Sequence, residues 1–79
     1  MKEFKPVDMY VTPENVDIYI GKLLYNLIEI VEESDSETEI IKTKNYTISI
    51  VDSLKEFKII NDEKHKSLLG IIKGITEDR

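Results

Sequence analysis

The stretch that decides the predicted fold class is residues 39–60, EIIKTKNYTISIVDSLKEFKII. From Tyr46 to Ile50, large apolar or aromatic side chains alternate strictly with the hydroxyl side chains of Thr47 and Ser49. This alternation has the period of a half-buried strand. The stretch therefore predicts three strands and two turns: strands Glu39–Thr43, Tyr46–Ile50 and Glu56–Ile60, with turns at Lys44-Asn45 and Asp52-Ser53. Residues 53–57 also fit a helical turn, so the third strand has a helical alternative.

A long amphipathic helix is predicted before this stretch. Thr12 suits the N-cap, Pro13 the first helical position, and Glu14 the positive end of the helix dipole. The helix is expected to run from Pro13 to about Glu33. A step of about 100° per residue places its apolar side chains on one broad core face, which consists of Val16, Tyr19, Ile20, Leu23, Leu24, Leu27, Ile30 and Val31.

A second helix is predicted after the strands. Asn61-Asp62 is expected to cap its start, and Gly74 is expected to stop it. The apolar face of this helix consists of Leu68, Leu69, Ile71, Ile72 and Ile75.

These elements together predict an α+β fold. The expected order is (β)-α-β-β-β-α, an antiparallel meander of three strands with two helices on one face. Alternation of Val7, Met9 and Val11 allows a short fourth strand. Residues 1–79 are expected to form a single small domain, with residues 1–11 as an N-terminal arm or short strand and residues 76–79 as a frayed tail.

The composition excludes several chemistries. The chain has no cysteine and one histidine, which rules out disulfides and thiolate or histidine-rich metal sites. Its three glycines, Gly21, Gly70 and Gly74, lie in predicted helices, so there is no glycine-rich phosphate loop. His65 falls beside the apolar face of the second helix and is interpreted as half covering the core. We therefore expect no enzyme activity, no cofactor and no metal site.

Charge and hydropathy limit the expected partners. The net charge is −5, and an acidic chain binds the phosphate backbone of nucleic acids poorly. The N-terminus lacks the apolar segment of a signal peptide, and no apolar run is long enough to span a membrane. We expect a cytoplasmic protein that binds neither nucleic acid nor membranes directly.

An acidic segment covers residues 29–39. It carries six acidic residues and no basic one: Glu29, Glu32, Glu33, Asp35, Glu37 and Glu39. A calcium loop is rejected, because Ile40 stands where the turn glycine belongs and Tyr46 where the closing glutamate belongs. Two interpretations stay open: a docking surface for a basic partner, or a solvated helix end and turn.

An apolar triplet lies on the first helix, opposite its core face. Ile18, Gly21 and Tyr25 are spaced three and four residues apart, so they share one side of the helix. One interpretation is the interface of a homodimer or a face for another partner, and in the homodimer two copies pack antiparallel with Gly21 near the two-fold axis. The other is that the N-terminal arm folds back and covers the triplet with Phe4, Val7 and Met9.

The predicted function is that of a small non-catalytic, protein-binding or regulatory protein. The hypothesis is a homodimeric interaction protein, of the kind encoded by phages or bacteria as inhibitors, that docks on another protein through the acidic segment. The alternative is a dimeric sensor of a small molecule or nucleotide bound between subunits. In that case Lys42, Lys44, Lys55 and Lys58, on the predicted sheet, would hold phosphates.

Overall fold

The structure is a computed structural model, and it describes residues 3–5 and 10–77. These residues form three α-helices: α1 at Val16–Glu33, α2 at Glu37–Glu56 and α3 at Asp62–Glu77. Short connections at residues 34–36 and 57–61 make consecutive helices antiparallel, and each helix contacts the other two. The architecture is therefore a three-helix bundle.

The predicted α+β meander is wrong. Residues 37–56, which contain the first two predicted strands, form the single helix α2, and residues 57–60 form the turn after it. In residues 3–5 and 10–77 no sheet is present, and the β-type pairing there is one isolated antiparallel bridge between Phe4 and Val11. The described part of the chain is consequently all-α, and the four lysines assigned to a sheet lie on or directly after a helix.

Residues 37–56 form the helix α2 because the side chains that they bury in the core are spaced with a helical period. Its buried residues recur after seven, four and three positions, at Ile40, Thr47, Val51 and Leu54. The alternation from Tyr46 to Ile50 covers only five residues, and within it Tyr46 is exposed while Ile48 and Ile50 are half-buried on opposite flanks of the helix. The strand preference of β-branched residues amounts to about 1 kcal/mol or less, so burial along the whole helix overrides it.

Thr47 shows how a polar residue fits the helical core. Its side chain is fully buried, and its hydroxyl donates a hydrogen bond to the Thr43 carbonyl oxygen at 2.8 Å. A buried hydroxyl without a partner would cost about 1–3 kcal/mol. The bond one helical turn back satisfies the hydroxyl, so Thr47 can occupy a position that the strand interpretation treated as solvent-facing.

The start of α2 carries a helix signal that the strand prediction did not use. The Ser36 hydroxyl accepts a hydrogen bond from the Glu39 backbone N–H at 3.2 Å, which makes Ser36 the N-cap. Serine followed three residues later by glutamate is the capping-box pattern of a helix start. The sequence thus contained local evidence for α2 directly before the stretch that was interpreted as strands.

The prediction for α1 is confirmed in its core face and its end. Val16, Ile20, Leu23 and Leu27 are buried, and the helix ends at Glu33. It begins at Val16 rather than Pro13, because residues 13–15 form a turn. The Asn15 side-chain oxygen closes that turn by accepting a hydrogen bond from the Thr12 backbone N–H at 2.8 Å.

The predicted start of α3 is also confirmed. The Asn61 side-chain oxygen accepts a hydrogen bond from the Lys64 backbone N–H at 2.7 Å, which is an N-cap contact. Gly74 does not stop the helix, which continues to Glu77. Thr76 and Glu77 are therefore helical, and the rest of the predicted frayed tail, residues 78–79, lies outside the described residues.

One apolar core lies between the three helices and includes the described part of the N-terminal arm. Val11 is fully buried in it, and Phe4 packs against it. The predicted arm strand at Val7 and Met9 falls outside the described residues. The buried members of the core are Val11, Val16, Ile20, Leu23, Leu27, Val51, Leu54, Ile59, Ile60, Leu68 and Ile72.

The end of α2 is a Schellman motif. The Ile59 backbone N–H donates to the Leu54 carbonyl oxygen at 2.9 Å, and the Lys58 N–H donates to the Lys55 carbonyl oxygen at 2.9 Å. Ile59 and Leu54 are both buried, as the apolar contact of this motif requires. Lys58 occupies the position that favours glycine, with a φ of 61°.

We expect Lys58→Gly to raise the free energy of unfolding by about 1 kcal/mol, because a side chain in the left-handed region costs about that much. Lys58→Ala is the matched control: it removes the same charge and chain length but keeps the Cβ that causes the strain. Urea unfolding monitored by circular dichroism compares the two variants at one protein concentration. A glycine variant no more stable than the alanine variant would contradict the left-handed conformation at residue 58.

Candidate functional site

The acidic segment lies at one end of the bundle, where α1 ends and α2 begins. Glu29, Glu32 and Glu33 belong to the last turns of α1, Asp35 to the connection, and Glu37 and Glu39 to the first turn of α2. All of them except the half-buried Glu29 are exposed. In a molecule with extents of 41, 25 and 17 Å, these charges are concentrated on one end.

The fold accounts for two of the six acids. Glu37 and Glu39 occupy the first turn of α2, where the positive end of the helix dipole stabilises negative charge. Glu32 and Glu33 have the opposite position: they occupy the last turn of α1, which carries no basic residue. There each carboxylate is disfavoured by about 0.3–1 kcal/mol. The charges at the end of α1 thus have no stabilising role in the helix that carries them.

Three pairs of acidic and basic side chains lie at the other end of the bundle. They are Lys55–Asp62 at 3.6 Å, Lys64–Asp17 at 2.8 Å and His65–Asp52 at 2.6 Å. Within residues 3–5 and 10–77, none of these pairs includes Glu32, Glu33 or Asp35. In the same ranges, no three His, Cys, Asp or Glu side chains are grouped so that they could hold a metal ion.

The apolar triplet of α1 faces outward. Ile18 is 63% exposed and Tyr25 62% exposed, and a Cβ added to Gly21 would meet nothing within 4 Å. Phe4, one of the three residues proposed to cover this face, instead packs edge-on against Phe57 at 5.6 Å between ring centroids. The other two proposed covering residues, Val7 and Met9, lie outside the described residues.

The exposed apolar surface continues from α1 onto α3. An open cleft of about 290 Å³ between these helices is lined by Ile28, Val31, Glu32, Gly74 and Ile75. Ile71, one turn before Ile75, is 47% exposed, although the sequence placed it on the core face of its helix. The contribution of α3 could not be found from the sequence, because it depends on which side of α3 packs against α1.

His65 has a partner that the sequence did not predict. Its side chain is half-buried, as interpreted, and its Nε2 lies 2.6 Å from the Asp52 Oδ1. Asp52 belongs to α2, so this contact links α2 to α3. His65 does not line the clefts at residues 55–62, between α1 and α3, or at residues 61–67. The pair therefore serves as a link between helices in the described structure.

The four lysines considered for phosphate binding are not brought together within one chain. Lys55 and Lys58 line an open cleft of about 750 Å³, with Asn61 and Asp62 on its other side. Lys42 and Lys44 lie near the start of α2, roughly 20 Å away at 1.5 Å per helical residue. Lys55 is also engaged by Asp62.

Within the described ranges, no helix is both long enough and apolar enough to cross a membrane. No protein-family model matches the chain, and comparisons with curated proteins and with solved structures found no significant similarity. The class that the structure defines is a small three-helix bundle with an acidic end and an exposed apolar helix face, and these surfaces are the basis for a functional proposal.

Proposed function

We propose that this chain is a non-catalytic protein-binding module that docks on a basic protein surface through its acidic segment. The observation that supports the proposal most directly is the position of Glu32 and Glu33. These carboxylates stand at the negative end of the α1 dipole with no basic residue in the same turn. Binding a basic partner would neutralise a charge arrangement that α1 itself disfavours.

The distribution of charge fits this kind of recognition. The acids at the junction of α1 and α2 lie at one end, and Glu32, Glu33 and Asp35 take no part in the three acid–base pairs at the other. A concentrated charge of one sign accelerates encounters with a partner of opposite sign and fixes its orientation. A regulatory protein or inhibitor could use the same end to occupy a basic site on its target.

The alternative, a phosphate-binding sensor, has less support. Its four lysines lie on or just after α2, with one pair near the start of the helix and the other pair at its end. The pair at the end, Lys55 and Lys58, lines a cleft that is also lined by Asp62. The acidic end, by contrast, brings all six of its residues to one junction of the fold. Protein docking is therefore the function that the described surfaces favour.

Neutralising Glu32, Glu33 and Asp35 as Gln, Gln and Asn should reduce the capture of partner proteins while leaving the fold intact. The free energy of unfolding should rise by about 0.6–2 kcal/mol, because two acids, each disfavoured by about 0.3–1 kcal/mol, leave the C-terminal turn of α1. The measurement is affinity capture with immobilised chain at low and high salt, with captured proteins identified by mass spectrometry. Capture by the unmodified chain should weaken as salt screens the charges.

The matched control neutralises three exposed acids at the opposite end: Glu14→Gln, Glu56→Gln and Glu63→Gln. Both triple variants change the net charge by the same amount, so a loss of capture confined to the first variant identifies the acidic segment itself. If both variants retain the same proteins as the unmodified chain at both salt concentrations, the acidic segment is a solvated helix end and turn, and the proposal fails.

A further inference from the structure

The outer face of α1 is self-complementary in both shape and charge. Tyr25 lies near the middle of this face, with Gly21 and Ile28, seven residues apart, on one flank. Lys22 and Glu29, also seven residues apart, lie on the other flank. Residues seven apart on a helix lie nearly in line. Each flank therefore carries one residue before Tyr25 and a complementary residue after it: a small and a large one on the first flank, and a positive and a negative one on the second.

We infer that a second copy of this chain binds to this face, with the two α1 helices antiparallel and the two-fold axis at Tyr25. A two-fold axis perpendicular to the helices brings equivalent flanks together. Lys22 of each copy then lies opposite Glu29 of the other, and Ile28 of each copy lies over Gly21 of the other. The two Tyr25 rings meet at the axis, where aromatic side chains bury a large area. This inference does not depend on the proposed docking function.

Charge selects this register over the one predicted from the sequence. An axis at Gly21 would place the two Lys22 ammonium groups next to each other and would leave Glu29 beyond the start of α1 in the other copy. Like charges in direct opposition destabilise an interface. Moving the axis to Tyr25 replaces the Lys22–Lys22 contact with two Lys22–Glu29 pairs.

Charge also selects the antiparallel orientation. The acidic segment lies at the C-terminal end of α1, so parallel helices would place two clusters of acids side by side. In the antiparallel pair the clusters lie at opposite ends of the dimer, roughly 30 Å apart by helical rise. A dimer of this form would present two separated acidic ends, which would strengthen binding to a partner with repeated basic sites.

The glycine in α1 supports close contact with a second helix. A Cβ at Gly21 would meet no atom of its own chain within 4 Å, so packing within the monomer does not require glycine there. Glycine in a helix costs about 1 kcal/mol relative to alanine. In the dimer, Gly21 lies opposite Ile28 of the second copy, and the absence of a side chain at residue 21 leaves room for Ile28.

The exposed apolar surface is suited to association. Ile18, Tyr25 and Ile28 are 63%, 62% and 37% exposed on α1, and the half-exposed Ile71 extends the surface onto α3. A domain of this size without disulfides has a small core, and association is a common additional source of stability. Burying these side chains between two copies would supply it.

The experiment is sedimentation velocity of the purified chain across a concentration series, with charge-swap variants. The wild-type chain should form a species of twice 9.2 kDa. Lys22→Glu and Glu29→Lys should each weaken dimerisation about tenfold, because two attractive contacts become repulsive. The double variant Lys22→Glu with Glu29→Lys should restore it. Lys42→Glu on α2 changes the charge equally and should have no effect.

Cross-linking tests the register independently, because the chain has no native cysteine. Tyr25→Cys should form a covalent dimer with a short bismaleimide, since residue 25 lies at the axis. Ile18→Cys should not, because its two copies would lie roughly 20 Å apart along the helices. A wild-type monomer at all concentrations overturns the inference, as does a dimer that is unaffected by the single charge variants or not restored by the double one.

The glycine gives a further test with an internal control. Gly21→Ala should weaken the dimer while stabilising the isolated monomer, because the added methyl meets open space within one chain. Gly70→Ala should give the same gain in helix stability without affecting association, since Gly70 lies two residues from each of the buried Leu68 and Ile72 and thus on the opposite side of α3. Equal dimerisation of both variants would exclude Gly21 from the interface.

Discussion

Leu27→Ala should lower the free energy of unfolding by about 2–5 kcal/mol, the range for removing a buried leucine and leaving a cavity. Leu27 is 0% exposed and belongs to the core cluster that all three helices share. A single core of this size supplies only roughly 3–5 kcal/mol of stability. The variant should therefore be largely unfolded at room temperature, as measured by circular dichroism and urea titration.

The matched control for Leu27 is Ile41→Ala. Ile41 is 53% exposed on α2, so truncating it opens no cavity. Its effect on the free energy of unfolding should stay within about 0.5 kcal/mol, as for other surface substitutions. Equal stability of the Leu27 variant and the wild-type chain would mean that α1 turns a different face to the core.

Ser49→Pro should cost about 3 kcal/mol or more and abolish most of the helical circular dichroism signal. Ser49 is exposed near the middle of α2, where proline removes a backbone hydrogen bond and clashes with the preceding turn. Because the side chain points to solvent, the loss would come from the backbone and not from packing. The substitution therefore tests directly whether residues 37–56 form one continuous helix.

Two controls isolate the backbone effect at Ser49. Ser49→Ala removes the same hydroxyl and should stabilise the chain by a few tenths of a kcal/mol, because alanine has the higher helix propensity. Glu37→Pro places proline at the first position of α2, where a missing N–H is tolerated. A Ser49→Pro variant as helical and as stable as the Ser49→Ala variant would contradict a helix through residue 49.

The two proposed surfaces can be tested separately. The acidic segment and the dimer face share Glu29, but Lys22 belongs to the dimer face alone, and Glu32, Glu33 and Asp35 belong to the acidic segment alone. Loss of partner capture without loss of dimerisation would support docking through the acidic end alone. Loss of both in Lys22→Glu, which leaves every residue of the acidic segment unchanged, would indicate that docking needs two acidic ends.

The sequence by itself determined α1 and the beginning of α3. Over α1 the apolar residues repeat for five turns with a helical period, so the core face could be assigned without knowing its neighbours. Asn61 marked the start of α3 because an asparagine side chain caps the free N–H groups of the first turn. The exposed triplet on α1 followed from the same periodicity.

Tertiary packing decided the secondary structure of residues 37–60. The five residues from Tyr46 to Ile50 satisfy a strand period, whereas the helical period appears only when Ile40, Val51 and Leu54 are counted with Thr47. A window of five residues cannot separate the two periods, and the β-branched residues add a local preference for strands. Burial of four side chains against α1 and α3 exceeds that preference.

Packing also decided which partners each side chain has. The contact of His65 with Asp52 and the extension of the apolar surface to Ile71 both depend on how α3 is rotated against its neighbours. Local sequence sets the faces of a helix, but the bundle sets which face each neighbour covers. The physical reason is that helix periodicity is a property of nearby residues, whereas exposure depends on contacts between residues far apart in the chain.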